Sequence, residues 1–402
     1  MAVTRDAMAD HPQNPAVNLL AGEFYAANPH PHFAWMRRHA PVYWDEAGGI
    51  WGVTRYDDVV AVSRDPRTFC SGQGVRPDAP PFPYMIDIDG PAHRRRRSLV
   101  SKGFTPRRVA EREPRVRQIS VELLERARER RRFDFVKDVA AWLPLIVIGD
   151  MLGVEPEDHA RLLHWSDEML AGTGAVSIDG IARANAAFAE YSEYQRRVIA
   201  DRRARPRTDD LVSILVHAEI DGESLDDDTI LMEALLILIG GDETTRHVIS
   251  DGMLALIHHP DQRALLVREP ARIPTAVEEM LRWASPIQSM ARTATRSVEL
   301  RGQPIEQGQK LLLLYPAANR DEGAFANAAG FDVERQPNDH VAFGFGAHYC
   351  LGASLARLEL RVMFEELLRR MPDLDLQVDA ALPRRASNFI CGLETMPVEV
   401  CG

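Results

Sequence analysis

The stretch Phe343-Gly344-Phe345-Gly346-Ala347-His348-Tyr349-Cys350-Leu351-Gly352 decides how this chain is read. Glycines alternate with bulky residues, and one cysteine then directly precedes a stretch of helical pattern over residues 354–371. Backbone N–H groups at a helix start point outward and stabilise negative charge. A thiol there is expected to ionise more readily, and its thiolate serves as a metal ligand or a nucleophile. The plain alternative is an inert core thiol, which the glycines disfavour without excluding. Taken alone, the loop leaves nucleophile and metal thiolate both open.

A second unusual stretch lies upstream. Asp226-Asp227-Asp228 supplies an N-cap and acids for the helix dipole, and Thr229 opens a run that continues from Ile230 to Ile239. The run is apolar on nearly all sides, which predicts a buried helix. It continues through Gly240-Gly241-Asp242-Glu243-Thr244-Thr245 to Ile257. About 30 residues at ~1.5 Å each would cross the protein. Two mid-helix glycines cost about 1 kcal/mol each relative to alanine. Carboxylates and threonines directly after them predict a widened groove, where a small ligand rests against backbone beside an acid and a hydroxyl. The plain alternative is a kink with satisfied hydroxyls.

Bulk properties narrow the classes. The chain has 402 residues, 45% hydrophobic and 27% charged, enough for a large core. Its net charge of −11 argues against nucleic-acid binding. Basic clusters at Arg94 to Arg97 and at Arg107-Arg108 read as solvated faces. Cys70, Cys350, Cys391 and Cys401 form no CxxC pair, which disfavours a disulfide framework or a zinc ribbon and suits the reducing cytoplasm. Residues 1–28 lack a signal-peptide pattern, and no run approaches the roughly 20 apolar residues of a membrane anchor. No repeat or linker divides residues 1–402, so one domain is expected. Residues 41–56 read as a hairpin, 106–204 as helical, and 290–314 as strands with turns at Arg301-Gly302 and Gln307-Gly308. The fold class is mainly α with a minor β portion.

The cysteine loop resembles the haem-binding loop of cytochromes P450, FGxGxHxCxG. Four further motifs agree in order and spacing. Gly240 to Thr245 (GGDETT) is similar to the oxygen-groove motif of that family's long central helix over the haem. Glu279-Met280-Leu281-Arg282 is similar to its ExxR motif, and Phe331-Asp332-Val333-Glu334-Arg335 to its meander segment. His93 and Arg97 are similar to its HxxxR. The resemblance spans essentially the whole chain and implies the cytochrome P450 fold.

It also implies roles. Haem b, iron protoporphyrin IX, would be bound, with Cys350 as axial ligand of the iron, donating electron density. N–H groups near Leu351 and Gly352 would tune the sulfur, and Phe343 would shield it. His93, Arg97, Arg292 and His348 would meet the propionates. Gly241 would border the oxygen groove. Glu279, Arg282 and Arg335 would form a buried ion network that fixes the cysteine loop. Glu243 and Thr244 would form the acid–alcohol pair that delivers protons to dioxygen, implying an electron-fed monooxygenase. Ferredoxin and ferredoxin reductase would supply the electrons, with Arg357 and Arg361 offering positive charge to an acidic ferredoxin. An electron-transfer or gas-sensing haem protein fits the acid–alcohol pair and Gly241 less well, and a cysteine hydrolase using His348 is disfavoured because the haem pattern explains that histidine better.

The expected pocket segments are residues 74–86, 171–181, 236–240, 286–290 and 388–390. They are poor in charge and suit a large apolar substrate. Leu236, Ile239, Ile287 and Phe389 are the expected walls. The strings PYMIDIDGPAHRRRRSLVSKGFT, LLILIGGDETTRH, EEMLRW and SNFICGLETMPV resemble actinobacterial steroid side-chain monooxygenases. Those oxidise a terminal methyl, C26 or C27, of cholesterol or cholestenone. The alternative is tailoring hydroxylation of a macrolide, a terpenoid or another secondary metabolite.

Overall fold

The computed structural model describes residues 11–171, 178–220 and 222–400. Among these, nine helices have ten residues or more: α1 His30–His39, α2 Gly90–Val100, α3 Glu113–Arg130, α4 Trp142–Leu152, α5 His159–Ala171, α6 Ile178–Ala204, α7 Asp227–His258, α8 Ile273–Ala284 and α9 Ala353–Arg370.

α7 is the long helix that the sequence predicts. Asp226 caps it, its side chain accepting from the Thr229 N–H at 2.7 Å, and Asp227 and Asp228 follow in the first turn. At 32 residues it is ~48 Å long. It buries Ile230, Leu231, Ala234, Leu235, Ile237 and Leu238, and packs against α4, α6, α8 and α9. The helix runs unbroken through the two glycines, which serve different ends. A Cβ on Gly241 would lie 2.5 Å from Ile148 Cδ1, so this glycine lets α4 come close. A Cβ on Gly240 would meet nothing within 4 Å.

The predicted hairpin is β1 Val42–Asp45 and β2 Ile50–Val53, with Trp44 opposite Trp51. With β3 Phe69–Cys70, β7 Ser289–Ala294 and β10 Lys310–Leu314 it forms a five-stranded sheet, order β1-β2-β10-β7-β3. The middle pairing of β2 with β10 is parallel, and Leu311 of β10 sits opposite Arg292 of β7. Between β7 and β10, β8 Val298–Leu300 and β9 Gln303–Ile305 form a hairpin. Its turn falls at Arg301 and Gly302, both with positive φ.

The stretch 106–204 is not helical throughout. Arg131 takes φ 61° and ends α3, and the next residues form β4 Arg132–Asp134. β4 pairs with β12 Pro397–Val400, placing Phe133 opposite Val398, and β12 pairs in turn with β11 Leu374–Leu376. Long-range pairing overrides the local helical pattern there. A further hairpin joins β5 Glu219–Ile220 to β6 Glu223–Ser224.

The Gly241 contact predicts a specific coupling. Gly241→Val should lose about 1–3 kcal/mol, as an overpacked helix contact does. Ile148→Ala in the same chain should restore much of that loss. Urea unfolding of the two single variants and the double variant measures it, and strictly additive losses would contradict the contact.

Candidate active site

A cavity lies beneath the middle of α7. Its upper wall is the stripe Leu236, Ile237, Gly240, Gly241, Thr244, Thr245 and Val248, which keeps to one face of the helix. The facing wall is the loop from Ala342 to Gly352 with the start of α9. About 1360 Å³ inside is not filled by protein atoms, counting the open mouth. Thr244 Oγ1 donates to the Gly240 carbonyl at 2.8 Å, so the hydroxyl is held against its own helix at the cavity wall.

The cysteine loop is shaped by close approaches. Gly344 and Gly346 take φ of 68° and 76°, and a Cβ on Gly346 would lie 2.4 Å from the Ser63 carbonyl. The loop closes where the Cys350 N–H donates to the Phe343 carbonyl at 2.9 Å. Burial pushes the Cys350 thiol up, against the pull of the Gly352 N–H and the Arg97 and Arg357 guanidiniums. The protein alone therefore does not hold the thiolate that the helix-start argument expects. A bound cation would deprotonate it. Arg357 lies 4.6 Å over the Phe343 ring, fixing that ring beside the loop.

Four donors gather around the cavity. The rings of His93 and His348 stack with centroids 4.1 Å apart. His348 Nε2 is 3.7 Å from Asp89, while the buried His93 Nε2 has no protein partner. Burial, then the charges of His348 and Arg97, lower His93 to about 4. Arg97 and Arg292 line the cavity and donate to the carbonyls of Tyr349 and Ala291, at 2.5 and 2.8 Å. Among the described residues no carboxylate pairs with either. A thiol on one wall, with uncompensated donors around it, fits a flat metal cofactor that carries acidic side chains.

A family model described as cytochrome P450 matches residues 181–372. The steroid C26-monooxygenase of Mycobacterium tuberculosis is 48% identical over 387 residues, 96% of this chain and 97% of that protein. This chain belongs to the cytochrome P450 family. The methyl-branched lipid omega-hydroxylase of Mycobacterium bovis is 41% identical over 390 residues, 91% of this chain and 90% of that protein. A Bacillus megaterium cytochrome P450 solved in complex with testosterone superposes with a TM-score of 0.85 at 34% identity, covering 93% of this chain and 100% of that one. The enzyme is a P450 monooxygenase, and the family's cofactor is haem.

The P450 cavity collects some expected residues and leaves others out. Leu236 and Ile287 line it. Ile239 and Phe389 do not: Ile239 falls off the α7 stripe and packs in the core, and Phe389 lies on a loop whose carbonyl accepts from the Gln288 N–H at 2.8 Å. Of the expected loop 171–181, residues 172–177 lie outside those described. Glu243 is fully buried but off the wall. Burial alone would raise its carboxyl, but Arg246, Arg385 and His247 outweigh it and hold it well below the usual range. Arg246 is 2.9 Å from Glu243 and 2.9 Å from the half-exposed Asp167, which gives the acid a charged path outward.

The two arginines expected to offer surface charge are both engaged in ion pairs. Arg357 is held in two bonds by Glu278, at 2.7 and 2.8 Å. Arg361 is held by Glu113 and Glu365, at 2.7 and 2.9 Å. Both side chains stay partly exposed within these pairs. Sequence reasoning also missed wall residues, among them Phe104, Tyr315 and Glu359. Glu359 is 2% exposed, and burial, then Asp242, raise it to about 8. A glutamate in the apolar face of α9 was the signal.

Met85 and Ile86 line the cavity from the turn Met85–Asp87, and Glu233 of α7 holds that turn. Its Oε1 accepts from the Met85 N–H at 2.8 Å and from Arg96 at 3.1 Å. Its Oε2 is buried without a protein partner. Burial raises this carboxyl to about 7, against Arg96 and the Met85 N–H. The folded chain then binds the proton more tightly than the unfolded chain, where a glutamate titrates near ~4.3. Stability should therefore fall as pH rises through that window. Glu233→Gln keeps an acceptor for Met85 and removes the titration. The melting temperature of the wild type should drop more than that of the variant between about pH 5 and about pH 7.5. Parallel profiles would contradict this.

Proposed function

We propose that this P450 oxidises the terminal methyl of a steroid or branched-lipid side chain, with cholesterol or cholest-4-en-3-one as the substrate class. The cavity carries the reading: a predominantly apolar wall from separate segments, with Cys350 on one side and Thr244 on the other. The two curated relatives act, by name, at C26 of a steroid and at the omega position of a methyl-branched lipid. Both positions are chain ends. Terminal C–H bonds are stronger than secondary or tertiary ones, so selectivity for a chain end has to come from positioning. Leu236, Ile287, Met290 and Phe104 would guide the side chain end-on, and orientation of this kind contributes several kcal/mol.

Haem b suits the donors around the cavity. Cys350 Sγ would be the iron's ligand, with the Gly352 N–H moderating its charge. His93, Arg97, Arg292 and His348 would receive the propionates through charge-assisted bonds. When bound, the haem supplies activation of dioxygen and insertion of one oxygen atom into a C–H bond, the other leaving as water. The chain's own residues govern protons and water. Thr244 Oγ1, set beside the open space over Gly240, would present a hydroxyl to the reacting oxygen side of the cavity. Glu243 would act behind it, passing protons inward from the Asp167 and Arg246 side. The apolar walls would exclude bulk water, which otherwise drains reducing equivalents.

Ferredoxin and ferredoxin reductase would supply electrons from NAD(P)H in the cytoplasm. No helix among the described residues is long and apolar enough to cross a membrane.

Two outcomes follow. Thr244→Ala should bind haem and substrate normally but lower the product formed per NAD(P)H by about tenfold or more, with hydrogen peroxide making up the difference. Unchanged coupling would remove the threonine from this role. Incubation of the enzyme with cholest-4-en-3-one and a surrogate ferredoxin system should yield a terminal alcohol or acid, located by mass spectrometry and NMR. No spin-state shift with any sterol, beside a clear shift with a macrolide or terpenoid, would assign the enzyme to secondary-metabolite tailoring instead.

A further inference from the structure

A second cavity lies between the start of α1, the C-terminal end of α7 and the end of α8. It shares no lining residue with the haem cavity. Arg320 lines it with a side chain only 8% exposed. Its Nη2 donates to the Trp283 carbonyl at 2.9 Å, and its guanidinium lies 4.4 Å over the Trp283 ring. Its Nη1 is buried with no protein partner. Among the described residues no carboxylate pairs with it. The neighbouring carboxylates are all committed: Asp251 to Arg384, Glu279 to Arg282 and Arg335, Glu322 to Arg37. Two guanidiniums therefore face this cavity against one carboxylate.

Other groups around it agree in sign. His30 Nδ1 is also buried without a protein partner, and burial, then Arg320 and Arg384, keep that ring neutral. The first turn of α1 begins at His30, whose N–H donates to Asn28 Oδ1 at 3.4 Å, so the positive end of a helix lies in this region with its first donor already used. His259 spends its Nδ1 on the Ala255 carbonyl at 2.8 Å. A guanidinium does not shed its proton in proteins, so burial of Arg320 is relieved by a counter-ion. Leu254, Ala255, Ala284 and Pro316 give the lining an apolar patch, beside the polar Tyr25, Asn28, His258 and Gln288. About 260 Å³ is open to the centre of a water molecule, against the ~15 Å³ that one water needs.

We propose that this cavity is a second ligand site, for a small organic monocarboxylate whose carboxylate accepts from Arg320 Nη1 and whose short hydrocarbon part rests on Leu254, Ala255 and Ala284. One unmatched positive charge suits a monoanion over a phosphate dianion. The apolar patch of Leu254, Ala255, Ala284 and Pro316 suits a short acyl chain over an inorganic ion.

The probe is sodium butyrate, titrated by calorimetry into haem-loaded enzyme saturated with an iron-ligating azole, so that the haem cavity is closed to it. Sodium chloride at equal ionic strength is the control. Butyrate should bind saturably at one site and raise the melting temperature more than chloride does. Arg320→Gln should weaken butyrate by about tenfold to a hundredfold, the loss of one charge-assisted bond. Ala284→Phe, which fills the cavity from its apolar wall and leaves Arg320 in place, should abolish binding. It decides the matter if Arg320→Gln fails to fold. Both variants should keep the reduced, CO-bound spectrum. Butyrate heats no larger than chloride's, affinity that survives Ala284→Phe, or a crystal grown with butyrate showing only water against Arg320 would each overturn the proposal.

Discussion

The Glu279 carboxylate, held between Arg282 and Arg335, is the constraint on which the geometry of the haem site depends. Glu279 and Arg282 are fully buried. All five N–H donors of Arg282 are used: two on Glu279 and one each on the carbonyls of Asn319, Ala328 and Gly330. Arg335 adds a bond to Glu279 at 3.0 Å and reaches the carbonyls of Ala326, Asn327 and Gly330. Glu279 also accepts from the Asp332 N–H and from Asn338. One ion cluster on α8 thus fixes the backbone between residues 319 and 338. From there Asn319 Oδ1 takes the Val341 N–H, two residues before the ring at Phe343. Desolvating such charges costs several kcal/mol per ion, so the cluster adds little net stability over apolar packing. What it gives is position, because each donor has one direction and one acceptor. Removing a single partner leaves the others charged and buried, a loss of about 3–5 kcal/mol.

α7 meets a different demand, since one helix must be both core and active-site wall. The stripe through Leu236, Ile237, Gly240, Gly241, Thr244, Thr245 and Val248 faces the cavity, while Leu235, Leu238, Asp242 and Glu243 are buried in packed protein. Gly240 leaves open space and Gly241 lets α4 approach, so adjacent glycines on the cavity wall serve different ends. The acids obey the same division. Asp242 accepts from Ser166 at 2.9 Å and meets Arg246, while Glu243 meets Arg246 and Arg385. Neither carboxylate reaches the cavity directly. Any proton that Glu243 passes inward must cross the helix surface to Thr244, and its guanidinium partners must loosen to let it accept one.

How far sequence reaches here depends on how local each feature is. The cysteine loop, the capped helix, the 41–56 hairpin and the Glu279–Arg282 pair are fixed within a few residues, and pattern shows them. The arms of the ion network run from residue 279 to residue 335, and only the family resemblance brings Arg335 to it. β4 is hidden because its partner β12 lies more than 250 residues away. The pocket fares worst, since it is assembled from segments near residues 85, 104, 148, 240, 287, 315 and 355. Side-chain direction at each depends on packing that no local rule supplies. Ile239 and Phe389 therefore look like walls in sequence and are not, while Phe104 and Tyr315 look like core and are walls. The ion pairs of Arg357 and Arg361 are hidden for the same reason: their partners Glu278 and Glu113 come from other helices.

Arginines that are buried or half-buried divide this protein into two kinds of place. Arg282, Arg335, Arg37, Arg246 and Arg384 each meet a carboxylate, and each ties distant segments together. Arg97, Arg292 and Arg320 meet only backbone carbonyls among the described residues. A guanidinium stays charged wherever it is buried, so the second group needs anions that the chain itself does not supply. For Arg97 and Arg292 the proposed anion is the acidic edge of the cofactor, which the adjoining histidines and the thiol opposite support. Arg320 has the same deficit in a cavity that shares no lining residue with the haem cavity. The argument that assigns the haem edge thus applies to it without change.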